Sequence, residues 1–365
     1  MITSNAGEQP RLSCTCTTKH RSHRKHCNCC DDLDSSSEAS CESATDDDDS
    51  AMGAPSGVEL HNYREVHLAS NNIHLVSLVE PIPASQLGLA ERICGPTGTS
   101  PDPTIGEVHA AICETTDCAD PPWESRVERR FLDKFQKSES LGFKCCMRIQ
   151  IHDRHVPHKP GTAQSPKISH PVPDLLYGYS GNKLSQDGTA LDGPSLDHTI
   201  ANGEKLMLPF LAVEAKGQWP ASTGNLCVAE NQAAGSSTAC VKMMENLNDC
   251  LAQDPSTSDT KLDSTSFSIV TNGTEARLFM TWREGTDIFK LKHLRSYCLS
   301  DEDHYIRFHR AVHNILDWGY NERLNGIRSC IAILQARNDR QRRRQLEETG
   351  LETEDRQSKR QRLRK

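Results

Sequence analysis

One run constrains the fold more than any other: LMLPFLAVEAKG, beginning at Leu206, where apolar side chains lead almost without interruption into Glu214, Ala215 and Lys216. So apolar a stretch reads as a buried strand. Alternate side chains of a strand share a face, so Glu214 and Lys216 project together while Val213 and Ala215 face the other way. A carboxylate and an ammonium are therefore expected together at one edge of a core.

The neighbouring segments supply the rest of that core. In DPPWESRVERRFLDKF, Asp120 can cap a helix, Pro121 and Pro122 suit its first turn, and Trp123, Val127, Phe131 and Phe135 recur every four residues. FKCCMRIQI and PDLLYGYS read as strands, the second starting at Asp174, with a Pro/His/Lys loop between them. The segment from Gly181 to Lys205 is rich in Gly, Asp, Asn and Ser and reads as a surface excursion. A small-residue helix, AENQAAGSSTACVKMMENL, is expected between Leu226 and Leu251, close against a sheet. SFSIVTNGTEARLFMTWRE predicts two strands joined at Asn272-Gly273 by a type I′ turn, and DIFKLKHL a further strand. Asp301 can cap a helix carrying Tyr305, Phe308, Val312, Ile315 and Leu316 on one face, and another runs from Asn321 through Leu324, Ile327 and Ile331. The expected order is α-β-β-β-α-β-β-β-α-α.

Residues 1–57 pair a Cys/His/basic stretch with an acidic Ser/Asp stretch, neither with apolar periodicity, and are expected to be disordered. The spacing of Cys14, Cys16, Cys27, Cys29 and Cys30 does not match paired zinc knuckles, so a thiol-rich tail is expected rather than a zinc module. Residues 58–121 form an N-terminal elaboration of unclear period, residues 122–336 the principal domain, and residues 337–365 a basic charged tail. The first residues hold no apolar export segment and no stretch is long enough to span a membrane. A soluble, unsecreted protein with reduced thiols and no membrane partner is expected. A net charge of −8 excludes a uniformly basic coat, so any basic surface is local. Two basic clusters, Arg340 to Arg344 and Lys359 to Lys365, separated by an acidic spacer, form a two-part import pattern, pointing to an import receptor and the nucleus, with the cytoplasm as the other location.

An ion that activates water beside a phosphodiester needs hard oxygen ligands from separate elements. Asp174 and Glu214 can supply two, the Ala215 carbonyl a third, and Lys216 can position the attacking water and steady phosphate charge. Acid-x-lysine spacing alone is weak, since Asp259 and Lys261 repeat it within a polar loop. An apolar strand before Glu214 and a small-residue helix after Lys216 set that pair apart.

PDLLYGYS, LPFLAVEAKG and AENQAAGSSTACVKMMENLN together resemble the Pro-Asp, Glu-x-Lys and following-helix motifs of the PD-(D/E)xK nuclease-like superfamily, nearest its fungal nuclease-like branch. The likeness extends to ILDWGYNERLNGI. It implies an α/β fold with a restriction-endonuclease-like core of a mixed β-sheet flanked by helices; the N- and C-terminal tails lie outside the likeness and are expected to be disordered. It also implies a Mg2+ (or Mn2+) cofactor and nucleic acid as partner, DNA ahead of RNA. By position it places a first-helix acid at Glu128, with Glu124 competing, and a polar helix residue at Gln232 or, behind it, Glu230. Asp174, Glu214, Lys216, Gln232 and Glu128 are the resulting catalytic candidates. Two functions follow: metal-dependent hydrolysis of nucleic-acid phosphodiesters, or a catalytically silent nuclease-fold module that binds nucleic acid or protein in the nucleus.

Overall fold

The computed structural model describes residues 57–60, 62–96, 102–116, 143–158, 166–184, 196–216, 226–253 and 261–362. The helix expected around Trp123–Phe135, with Glu124 and Glu128, lies outside the described residues, as do Asp259 and the N-terminal Cys/His and acidic stretches.

Strands β1 (Ile73–Val76), β2 (Phe143–Met147), β3 (Leu175–Ser180), β4 (Leu206–Ala215), β5 (Ser266–Thr271), β6 (Glu275–Glu284) and β7 (Ile288–Cys298) form one mixed sheet in the order β1-β7-β6-β5-β4-β3-β2. The pairs β1/β7 and β4/β5 are parallel and the rest antiparallel. All ten residues of β4 are buried, as the apolar run requires of a central strand covered on both faces. Parallel β4 and β5 need a crossover, which helix α3 (Leu226–Ala252) supplies. Its Ala229, Ala233, Ser236, Ser237 and Cys240 are fully buried, and these small side chains let the helix axis sit close to the strands.

Helix α3 covers one face, where Ser236 meets Glu214, Ser237 meets Thr281, and Glu230 meets Arg277. The other face carries helices α1 (Ala84–Cys94) and α4 (Glu302–Trp318), with Phe308 against Tyr297 and Trp318 edge-on to Phe267. Asp301 caps α4 as expected, accepting from the amide of His304 at 2.9 Å. In ILDWGYNERLNGI, Gly319 lies beneath the ring of Phe210, and its carbonyl accepts from the Tyr179 hydroxyl at 2.7 Å. Arg323 of the same segment reaches the carbonyls of Asp263 and Thr265 and stacks on Trp318. The motif fastens the helical layer to β4 and the segment entering β5.

The N-terminal elaboration acquires a definite place, and two local expectations are corrected. The N-terminal segment is integral: β1 extends the sheet, α1 and α2 (Ile105–Thr116) pack with α4, and Arg64 in a π-turn (Arg64–Leu68) bonds Asn231 and Glu230 of α3. The β5–β6 turn is displaced by one residue, with Gly273-Thr274 between the bonded pair Asn272 and Glu275. Only Gly273 takes a positive φ, the type II′ pattern rather than type I′. The cause is the Asn272 side chain, whose Oδ1 accepts from the amides of Thr274 and Glu275 in place of a backbone carbonyl. The surface excursion also returns through the core: Leu196, Thr199, Ala201 and Asn202 are buried, and the Ala201 amide and carbonyl bond Leu206 and His152.

Helix α5 (Leu324–Arg362) runs on from the core through the basic stretch, where Arg340, Arg342, Arg343 and Arg344 are exposed.

Candidate active site

Two strands bring the expected acids together. Leu175 pairs with Val213 across antiparallel β3 and β4, so Asp174, one residue before β3, stands opposite Glu214. Residues directly opposite in such a ladder share a face, which places both carboxylates on the α3 side. The proline before Asp174 contributes: the Arg148 amide bonds the carbonyls of Pro173 and Asp174, fixing the chain where it enters β3.

Asp174 is held at both oxygens. Its Oδ2 accepts from the Ala215 amide at 2.7 Å, and its Oδ1 from Arg148 Nε at 3.3 Å. The N–H and C=O of one strand residue point to the same neighbour, so the Ala215 carbonyl also faces the β3 side. Lys216 continues the ladder, donating its amide to Thr271 at 2.8 Å, and its side chain is half-buried. Arg148 takes a left-handed backbone conformation, φ 50°, which costs energy in a residue with a Cβ.

Glu214 is buried to 1% exposure, with Oε1 accepting from the Ser236 hydroxyl at 2.8 Å. Burial, followed by the negative charge of Asp174, pushes its carboxyl up to about 8, although Ser236 and the positive charge of Lys216 pull the other way. The acidic pair thus resists carrying two charges in the absence of a cation.

One turn before Ser236 on the same side of α3, Gln232 is half-buried, and its Oε1 is fully buried with no hydrogen-bond partner. A buried carbonyl oxygen left open one turn from the serine that bonds Glu214 is a ready acceptor for a water. Glu230, the weaker helix candidate, serves the fold: Arg64 and Arg277 bind its two oxygens at 2.6 and 2.7 Å. Of the spacing-matched decoy, Lys261 precedes β5 and reaches Glu245 at 3.9 Å.

Asp174, Glu214 and Lys216 therefore meet at the end of β4, Gln232 stands on α3 one turn from the serine that bonds Glu214, and Glu128 lies outside the described residues. Ser236 and Arg148 escape sequence reasoning. Ser236 had one legible signal, its four-residue spacing from Gln232; Arg148 had none.

Among the described residues no cluster of three or more His, Cys, Asp or Glu side chains forms. Magnesium needs fewer, since it binds through one or two carboxylates and keeps waters or substrate phosphates in its other positions. The facing acids, with the Gln232 oxygen open to a water, fit such an ion.

Residues 125–331, more than half of the chain, match the family model described as Domain of unknown function (DUF7924). Neither the curated proteins nor the solved structures contain a match.

Proposed function

Since the chain belongs to the DUF7924 family and the matched span holds all four of these residues, Asp174, Glu214, Lys216 and Gln232, we propose that this site hydrolyses nucleic-acid phosphodiesters with magnesium or manganese. The observation that carries the proposal is the opposition of Asp174 and Glu214 across β3 and β4, with the Glu214 carboxyl pushed up to about 8 by burial and its neighbour's charge. A pair so arranged is relieved by a divalent cation.

Asp174, Glu214 and the Ala215 carbonyl would hold the ion. When bound, it supplies Lewis acidity at the phosphoryl group and lowers the pKa of the attacking water. Lys216, on the same strand face as Glu214, orients that water and offsets charge growing on the phosphoryl oxygens. Gln232 accepts a hydrogen bond from the water through Oε1, fixing its direction of approach. Ser236 keeps Glu214 in place, and the Ala215 amide does the same for Asp174.

The likeness to the PD-(D/E)xK superfamily favours DNA over RNA as substrate. The exposed arginines from Arg340 to Arg344 support nuclear import, read by following a fluorescent fusion with and without those residues.

The direct test incubates the purified full chain with DNA and with RNA, plus Mg2+ or Mn2+, beside chelator controls and the Asp174→Ala and Lys216→Ala variants. Cleavage that needs the metal and disappears in both variants is expected. Cleavage that survives chelation, or is unchanged in both variants, overturns the mechanism. Metal-dependent binding without cleavage would favour the non-catalytic module instead.

A further inference from the structure

A cationic site lies at the same rim of the sheet as the acids. Thr271 of β5 is aligned with Ala215 of β4, β6 begins beside Thr271, and Cys298 at the end of β7 pairs with Glu275 at the start of β6. Here a cavity of about 370 Å³ is lined by Arg295 and Tyr297 of β7, His304, Arg307 and Arg310 of α4, and Cys94. Arg295 and Tyr297 are aligned with Leu278 and Ala276, which places them on the α4 face, opposite to Glu214.

The charges in this cavity are unbalanced. Arg310 is neutralised by Asp102, which it grips with two nitrogens. Arg295 and Arg307 are exposed, and among the described residues neither has a carboxylate within ion-pair distance. His304 adds a donor: its Nδ1 accepts from the Cys298 amide at 3.1 Å, so the proton of the neutral ring sits on Nε2. The three-residue spacing of His304, Arg307 and Arg310 keeps them on one side of α4. Two uncompensated guanidiniums and an imidazole N–H around one polar cavity match a phosphate group.

We infer that this cavity takes a backbone phosphate of the nucleic acid whose scissile phosphate lies at Asp174 and Glu214, an inference that rests on the nuclease reading. Three strand spacings of about 4.8 Å separate β4 from β7. That is roughly 14 Å along the sheet, to which the path around the rim from the α3 face to the α4 face adds. The cavity anchors the substrate across the rim and makes the site prefer chains long enough to bridge both points.

The test measures binding of a labelled duplex that spans both sites, by fluorescence anisotropy in chelator, using the full chain and its Arg295→Ala, Arg307→Ala and doubly substituted forms. Each single substitution should weaken binding about tenfold or more. The double variant should lower the slope of log affinity against log salt by about 0.9 for each phosphate it no longer neutralises. Arg307→Lys should recover part of the loss. A native circular dichroism spectrum with unchanged affinity and salt slope in the double variant overturns the inference, as does absence of binding by the unsubstituted chain.

Two further arms separate the sources of phosphate and the two readings. Sensitivity to removal of a 5′-phosphate, with competition by inorganic phosphate, overturns the backbone assignment in favour of a terminal phosphate; indifference to end chemistry supports it. Arginine-dependent binding without cleavage in Mg2+ supports the cavity while the nuclease reading fails. Cleavage with arginine-independent binding overturns the cavity and leaves the nuclease reading standing.

Discussion

The carboxylate of Asp174 accepts the amide hydrogen of Ala215 at 2.7 Å, so the acid that opens one strand clamps the peptide between Glu214 and Lys216 on the next. Asp174 therefore has a structural duty that can be separated from any role with a metal. Asp174→Asn keeps an oxygen acceptor and should change stability by less than about 1 kcal/mol, whereas Asp174→Ala strands the Ala215 N–H and should cost about 1–3 kcal/mol. Both should reduce cleavage at least about a hundredfold. Urea melts beside cleavage assays measure the two effects.

Glu214 links stability to pH in a direction opposite to that of an ordinary surface acid. Its folded value of about 8 lies above the ordinary 4.5, so the native state keeps a proton that the unfolded chain releases. The stabilisation is complete below 4.5 and is lost as pH rises through about 8, at up to about 1.4 kcal/mol per pH unit. Glu214→Gln should flatten that loss in metal-free melts. Magnesium binding should release a proton and tighten with rising pH in the unsubstituted chain, and calorimetry in buffers of different ionisation enthalpy should find neither effect in the variant.

Gln232→Leu separates a chemical role from a packing role. The buried Oε1 has no partner to lose, so stability should stay within about 1 kcal/mol. Cleavage should fall by about 10- to 100-fold if the amide directs water. A large drop in the unfolding midpoint with normal cleavage would assign Gln232 to the fold.

Gly319 tests the attachment of the helical layer. A Cβ there would stand 2.6 Å from the Phe210 ring, although the backbone itself, with φ −60°, is ordinary helix. Gly319→Ala should cost about 1–3 kcal/mol through overpacking, and Phe210→Leu in the same chain should restore part of it. Denaturant midpoints of the single and double variants provide the check.

The sequence made β3, β4, α3 and the β5–β7 meander legible because each carries its own period: a continuous apolar run, a small-residue helix, alternation around a turn. The opposition of Asp174 and Glu214 followed from two such strands being neighbours. What stayed hidden depends on partners far along the chain. Ile73–Val76 is too short to announce a strand, with Pro81 and Pro83 close behind, and acquires its role from pairing with Phe289–Lys292. Leu196–Asn202 looks like polar loop, yet its backbone groups are taken up by Leu206 and His152. Ser236 looked like one small residue among many, and only the crossover of α3 over β4 sets it on Glu214. The displaced hairpin turn came from a side chain competing for a backbone carbonyl's place, which dipeptide preference does not encode.

Strand β1, which pairs in parallel with β7, lies outside residues 125–331, and this bears on how the protein can be handled. A fragment trimmed to the family span would bare the outer N–H and C=O row of β7, an open template for copy-to-copy strand addition and insoluble aggregates. It would also strand Lys292, whose buried ammonium donates to the carbonyls of Ser77, Leu78 and Glu80. A fragment that keeps β7 paired and Lys292 satisfied therefore begins upstream of Ile73, well before residue 125.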